Sequence, residues 1–402
     1  MKNVPTLELR KIKTFFPNHR ICSIKVFLIL INGIVLVNSC NLNKIKKKAS
    51  ILLGKPTECE TIYTRFIRFF KMKGIEGFIL GVLNLSLSMA LPFVGCSEVY
   101  CIAIDRTNWK IGKVNINILY IGLVLGNGYF IPLFFSLLDK KGNSSQAERI
   151  DLFNQFKSVF NGFANFSFVV VGDREFIGED WFYYMAKNSY EFVMRIRRKD
   201  YSNLLASQLN VTIERLNKRI DKKLEKYGYC VLPIEIQGVT LYYHVYQKRK
   251  GDRSYANEKD KYIRFISSSI DPQWVAEQYD KRWKIEVFFE DSKLKGFDLE
   301  SIGFKEEAKI RLMVAICAVC YVLCLIQGDI AYAIKAARVK LDKATNKTYK
   351  RVSVFTKGYE RLEQIIVNLV SLAELINSLI SLNYSINYDA IRDFMYRPPC
   401  QI

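Results

Sequence analysis

The chain has 402 residues, half of them apolar, which allows two or three domains around a sizeable core and excludes a small disulfide-stapled scaffold. Sixty Lys and Arg against 39 Asp and Glu leave a net charge of +21, so a polyanion is the expected partner. Only two histidines exist, His19 and His244, far apart in sequence, so His-based triads and most zinc sites are poorly supported.

In chain order, residues 1 to 75 come first, with 15 Lys or Arg against 3 Glu in a stretch that reads as helical. "NLNKIKKKASILL" is followed by a Gly54-Lys55-Pro56 turn and "TECETIYTRFIRFFKMK", where Thr57 and Glu60 stand at capping-box spacing. Arg65 and Arg68 lie along the second helix. The pair is compatible with a helix-turn-helix that reads a DNA groove, although helical pairs are usually packing units. Three uncharged runs, 77–97, 115–138 and 312–328, approach membrane-spanning length. Asn84, Ser86, Ser88 and Pro92 interrupt the first and Gly126-Asn127-Gly128 the second, and mean hydropathy is +0.03, so buried strands and core helices are expected instead. Val26 to Val37 lacks a small-residue cleavage site after it, and the faint lipoprotein pattern at Cys40 carries little weight. The ten cysteines show no framework spacing, and Cys317, Cys320 and Cys324 read as reduced core thiols.

From about Ser97 the period changes. "EVYCIAID", "NWKIGKVNINILYIGLVL" and "YFIPLFFSLL" predict three antiparallel strands, the last two joined by an Asn-Gly turn. Ser145 with Glu148 then caps a helix, "FSFVVVG" makes a buried strand that stops at Asp173, a short helix surrounds Trp181, and "YEFVMRIR" is a further strand. The segment 199–264 has a different character, and its core "CVLPIEIQGVTLYYHVYQKRK" reads as a β-rich insertion. After strand "YIRFISSS", Asp271-Pro272 starts a helix containing "YDKRWKIEVFFEDSK". Long apolar helices near Ala308–Ile326 and Leu362–Ile380 follow, with a basic loop between them.

Asp105 and Asp173 both fall where a buried strand is expected to end. Singly, such an Asp is more often a cap or turn residue. Side by side on neighbouring strands, two carboxylates repel each other and favour a divalent cation. At about 100° per residue, Tyr279, Arg282, Glu286 and Lys293 share one helix stripe, with Glu290 a rival acid on the same stripe. An acid there can complete a metal cage while its basic neighbours hold phosphates, or it can simply pair with Arg282 on a solvated face.

The spacing of Tyr279, Arg282, Glu286 and Lys293 looks like the Y-R-E-K signature of bacterial insertion-sequence transposases of the DDE type. "IDRTNW" around Asp105 and "VVGDREFIG" around Asp173 resemble that family's first and second acidic motifs, so the likeness covers roughly Val99 to Leu299. The resemblance implies an α/β fold: an RNase H-like mixed five-stranded sheet with flanking helices, interrupted by the β-rich insertion, plus helical N-terminal and C-terminal regions. It divides the chain into 1–95, a helical domain binding DNA ends; 96–330, the catalytic domain with insertion 199–264; and 331–402, a helical region and dimerisation candidate. It implies a DNA transposase that cleaves the ends of its own element and transfers the 3′ hydroxyls into target DNA. Asp105, Asp173 and Glu286 are then the catalytic residues and the ligands of two Mg²⁺ or Mn²⁺ ions. Tyr279, Arg282 and Lys293 contact phosphates at the element's end, and Trp274, Trp283 and Tyr243 are candidates for stacking on a flipped base. Double-stranded DNA (terminal inverted repeats and target), a homodimer on DNA, and a cytoplasmic, nucleoid-associated bacterial location without a membrane go with that reading. The alternatives are an RNase H-like nuclease and an inactive DNA-binding relic. Tyrosine recombination would need an Arg and His constellation that this chain cannot easily supply.

Overall fold

The β-branched and aromatic runs after Val99 pair into one sheet. The strands are β1 (Tyr100–Ile111), β2 (Val114–Val124), β3 (Phe130–Leu137), β4 (Phe168–Gly172), β5 (Glu191–Ile196), β6 (Tyr229–Ile236), β7 (Val239–Gln247) and β8 (Tyr262–Ser267), in the order β3-β2-β1-β4-β5-β8-β7-β6. β1, β2 and β3 are antiparallel, β4 and β5 run parallel to β1, and β8, β7 and β6 continue antiparallel from β5. The computed structural model describes residues 8–54, 56–93, 99–111, 114–125, 129–159, 167–248, 261–342, 347–368 and 371–386. The Asn-Gly turn at Gly126-Asn127-Gly128, Lys55 of the first predicted turn, and 387–402 of the C-terminal region lie outside the described residues.

The expected five-stranded sheet is therefore corrected to eight strands, because the insertion continues the sheet instead of interrupting it. An unpaired β5 would expose a row of backbone donors and acceptors. β8 covers that edge, and the β6–β7 hairpin extends it. β6 alternates buried Cys230, Leu232, Ile234 and Ile236 with more exposed residues, the period-two pattern of a sheet covered on one face.

Among the helices, α1 (Glu8–Thr14), α2 (Ile21–Val37), α3 (Leu42–Lys46), α4 (Ala49–Leu53), α5 (Cys59–Phe69) and α6 (Ile75–Ala90) precede the sheet. Next come α7 (Gln146–Val159), α8 (Glu179–Lys187), α9 (Ser202–Gln208), α10 (Ile213–Tyr227), α11 (Pro272–Asp280) and α12 (Trp283–Glu290), then α13 (Glu307–Ile334), α14 (Val354–Val367) and α15 (Leu372–Ile386). A two-stranded hairpin, β9 (Val339–Asp342) with β10 (Lys347–Lys350), occupies part of the predicted basic loop. The Ser145–Glu148 capping box forms, each backbone N–H donating to the other side chain at 2.6 and 3.2 Å. Asp271 caps α11 by accepting from Gln273 N and Trp274 N, with Pro272 in the first turn. The Thr57–Glu60 box does not form. Glu58 is the N-cap of α5, the Thr57 backbone exchanges bonds with Ser50 Oγ, and Glu60 is drawn instead to Lys46 at 2.6 Å.

α13 is apolar all round and accordingly central. It packs against α2, α6 and α14 and reaches β3. Two helices, Ile75–Phe93 and Glu307–Ile334, are long and apolar enough to cross a membrane by length and composition, but 67% and 94% of their most apolar windows are buried inside the protein. The 115–138 run forms β2 and β3, as expected of buried strands. Cys317, Cys320 and Cys324 are buried free thiols. Helices α13 and α14 meet through glycines: a Cβ at Gly358 would fall 1.6 Å from Cys324 O, and one at Gly328 would fall 2.0 Å from Val354 O.

Candidate active site

Register places the first two acids. The β1–β4 pairing runs to Ala103 opposite Val171, and continuing it two residues sets Asp105 level with Asp173, the first residue beyond β4. β1 itself does not stop there, since it pairs with β2 as far as Ile111, with Asp105 opposite Tyr120. The expected strand end at Asp105 is thus corrected to a mid-strand position where only the parallel neighbour ends. One side of β1 keeps its ladder while the other opens a crevice at the carboxyl end of β4, where open α/β sheets bind ligands.

Local hydrogen bonds orient both carboxylates. Asp105 Oδ1 accepts from Arg106 N at 2.7 Å, and Asp173 Oδ1 accepts from Glu175 N at 2.8 Å in an Asx-type turn. That turn is braced from behind by Arg149, which is buried on α7 and donates to Ser144 O, Glu175 O and Ile177 O. Glu175 in turn pairs with Arg106 at 3.0 Å and accepts from Ser144 N at 2.8 Å. The motif spacing in the sequence singles out neither Arg149 nor Glu175. The signal was Arg149 itself, which sits one helical turn before Leu152 and Phe153 on the buried face.

The third acid comes from α12. The stretch Tyr279–Lys293, expected as one regular helix, is three segments. α11 ends at Asp280, Lys281 N and Arg282 N bond three residues back, and after α12 the chain widens into a π-helical segment at Asp291–Phe297. Tightening and widening both break a constant 100° step. Arg282 and Glu286 still meet. The Arg282 guanidinium donates through Nη1 to Asp105 Oδ2 at 3.0 Å and through Nη2 to Glu286 Oε1, so it bridges two of the three acids.

Burial pushes the Asp105 carboxyl up to about 7, with Asp173 and Glu286 adding repulsion that Arg282 and the Arg106 N–H only partly oppose. Asp173 and Glu286 therefore both act electrostatically on Asp105. Arg282 loses by burial, but Tyr279, Asp105 and Glu286 more than compensate and hold it firmly protonated. Tyr279 packs on Phe265, and its buried hydroxyl, like Arg282 Nε, makes no close hydrogen bond among the described residues. Among the described residues no group of three Asp, Glu, His or Cys side chains is close enough to enclose a metal ion. The guanidinium occupies the space between Asp105 and Glu286. The donor set nonetheless fits a hard divalent cation, since all the ligand atoms are carboxylate oxygens.

The remaining predicted residues are spread more widely. Lys293 lies further along β1, donating to Asn108 O at 3.0 Å, 3.7 Å from Glu300 Oε1 and over the ring of the buried Trp109 at 5.1 Å. It does not share the Arg282 cluster. Glu290 is exposed one turn beyond Glu286. Arg65 and Arg68 are exposed on α5. Of the stacking candidates, Tyr243 is only 1% exposed and has no open ring face, whereas Trp283 is 42% exposed.

A family model, the transposase DDE domain, matches residues 100–323, more than half of the chain and a range within which Asp105, Asp173 and Glu286 fall. The chain belongs to the DDE transposase domain family. Against curated proteins it has no match.

Proposed function

We propose that the protein is a DNA transposase that cleaves at the ends of its insertion sequence and joins the freed 3′ hydroxyls to target DNA in a cut-and-paste reaction. The observation that carries the reading is that Arg282 bridges Asp105 and Glu286 while Asp173, at the end of the neighbouring strand, acts electrostatically on Asp105, within the segment the family model matches. The strand order β3-β2-β1-β4-β5, antiparallel and then parallel, supports an RNase H-like core, to which β8, β7 and β6 are an extension.

Asp105, Asp173 and Glu286 would hold two Mg²⁺ or Mn²⁺ ions, which supply an activated water or 3′ hydroxyl and stabilise the leaving oxygen. The chain's own contribution is positioning. β1 and the braced Asp173 turn fix two carboxylates on rigid backbone, and α12 brings the third. Arg282 is released from the acids once they are otherwise neutralised, and it then holds a phosphate beside the reacting one. Tyr279, whose buried hydroxyl makes no close hydrogen bond among the described residues, hydrogen-bonds that phosphate. Lys293 reaches the backbone further along β1, Arg65 and Arg68 grip the element's end, and the exposed Trp283 is the stacking candidate that geometry favours. In functional terms 1–95 recognises ends, 96–330 catalyses, and 331–402 contributes to a homodimer on DNA in the bacterial cytoplasm.

The test is Mg²⁺-dependent nicking of a duplex carrying the inverted repeats that flank the gene, followed by strand transfer from a pre-cleaved end. Activity lost in Asp105→Ala supports the assignment. Nicking without strand transfer leaves a nuclease of the same fold, and repeat binding unaffected by Asp105→Ala with no nicking leaves an inactive DNA-binding relic.

A further inference from the structure

Helix α10 carries a charge pattern that the acid cluster does not use. Its sequence, IERLNKRIDKKLEKY, holds six Lys or Arg against three acids. At about 100° per residue, Leu216, Ile220 and Leu224 share one side, buried where the helix packs on β6 and β7. Arg215, Lys218, Arg219, Lys222 and Lys226 fall within an arc of about 100° on the opposite side, and all five are exposed. At about 1.5 Å per residue that stripe is roughly 16 Å long. The three acids lie along its edge. Glu214 accepts from the Thr212 hydroxyl and its own backbone N–H, with Lys218 a lesser neighbour. Asp221 accepts from the Tyr262 hydroxyl at 2.8 Å, and Glu225 is exposed. Lys226 also lies over the Tyr227 ring at 4.9 Å. Contacts of this kind between exposed groups are weak and do not keep a phosphate away.

Like charges three, four and seven residues apart repel along a helix, so the stripe carries a cost in the free protein that a polyanion removes. Shape narrows the choice of polyanion. A single strand is held by a groove with rings on which bases stack, and this stripe is a convex face made of Lys and Arg alone. Leu216 through Leu224 hold the helix down along most of its length, which keeps it from entering a groove to read bases. A duplex, by contrast, carries a phosphate per about 1.7 Å of its axis, so roughly 16 Å offers about nine, enough to meet five cations. On the other side of the helix, Ile213 and Asn217 line a cavity of about 620 Å³ that also takes in Arg174, the residue after Asp173. α10 is therefore an outer wall, and DNA on its exposed face lies about one helix diameter, roughly 10 Å, beyond that cavity. We infer that the exposed stripe of α10 is a second contact for duplex DNA, made to phosphates without regard to sequence and separate from the segment held at Asp105, Asp173 and Glu286. The inference rests on the transposase reading and adds to it an anchoring surface within the insertion.

The experiment is fluorescence anisotropy of the full chain in EDTA, which prevents cleavage, with a labelled blunt duplex of about thirty base pairs of unrelated sequence and an oligothymidylate of equal length. The variant Arg215→Gln, Arg219→Gln, Lys222→Gln, Lys226→Gln keeps good helix formers at exposed positions. It is expected to lose about tenfold or more in duplex affinity, and its log K against log salt slope to flatten by about 3. A control removes as many charges from another exposed place, Lys335→Gln, Arg338→Gln, Lys340→Gln, Lys350→Gln in and beside the β9–β10 hairpin, and should move the slope by less than about 1. Should the α10 variant melt early by circular dichroism, Lys222→Glu alone decides, with an expected loss of about threefold or more. Unchanged duplex binding by the α10 variant, or an equal loss in the control, overturns the stripe and leaves the transposase reading standing. A loss on oligothymidylate as large as on duplex overturns the duplex assignment. A wild-type protein that binds neither form of DNA overturns the stripe and the transposase reading together.

Discussion

The acid cluster and the α13–α14 contact are both places of close approach, and they are built on opposite principles. At Gly358 and Gly328, two helix backbones touch with no side chain between them, in close van der Waals contact. At Asp105, charges crowd together, one carboxyl is pushed up to about 7, and a tyrosine hydroxyl and a guanidinium nitrogen make no close hydrogen bond among the described residues. One region is optimised for the fold and the other carries cost that the fold alone does not justify. Such cost marks sites that await a ligand.

Substitutions should separate the two. Asp105→Asn is expected to reduce Mg²⁺-dependent nicking by about a thousandfold or more while moving Tm by less than about 3 °C, measured by gel cleavage assay and calorimetry. Arg282→Ala leaves Asp105 and Glu286 facing each other, so metal-free protein should lose about 3 kcal/mol in denaturant unfolding, and Mn²⁺ should restore part of it. Recovery by Mn²⁺ at α13–α14 variants to the same degree would erase the distinction. His244 sharpens the comparison from a third position, buried like the helix contact and polar like the acid site. Burial lowers its pKa to about 4, partly offset by its hydrogen bond to Ser269 O and by Asp271. The unfolded chain binds a proton near pH 6.5 that the folded chain refuses until about 4, so stability is full above that upper value and falls by up to about 3 kcal/mol on acidification through the window. His244→Gln should flatten that limb of a pH titration of unfolding. Gly358→Ala should cost about 2 kcal/mol by forcing the helices apart, with metal-independent loss in the same unfolding assay.

The site was more legible in the sequence than its surroundings. Asp105 and Asp173 could be paired because buried apolar runs preceded each and strand order follows simple rules. Glu286 could be added because it shares a helix stripe with Tyr279, Arg282 and Lys293. Regular periodicity could not reveal that the helix tightens at Lys281 and widens after Glu290, since both changes answer to tertiary packing. Nor does sequence separation show that Lys293 is drawn to Asn108 and Glu300. In the insertion the β-rich run stands beside α10, whose signals are equally local: Thr212 caps it, Leu216, Ile220 and Leu224 repeat at helical spacing, and Gly228 ends it. The eight-stranded sheet was missed for a different reason. Whether an inserted hairpin forms its own layer or joins an existing edge depends on which edge is open in space, and a linear pattern does not record that.

The pairing of β8 with β5 has a practical corollary for anyone wishing to trim this protein. Residues 199–264 cannot be excised as a cassette, because they include the first part of β8, the strand that shields β5. A shortened version would present raw sheet to its neighbours and would be expected to precipitate before its chemistry could be assayed.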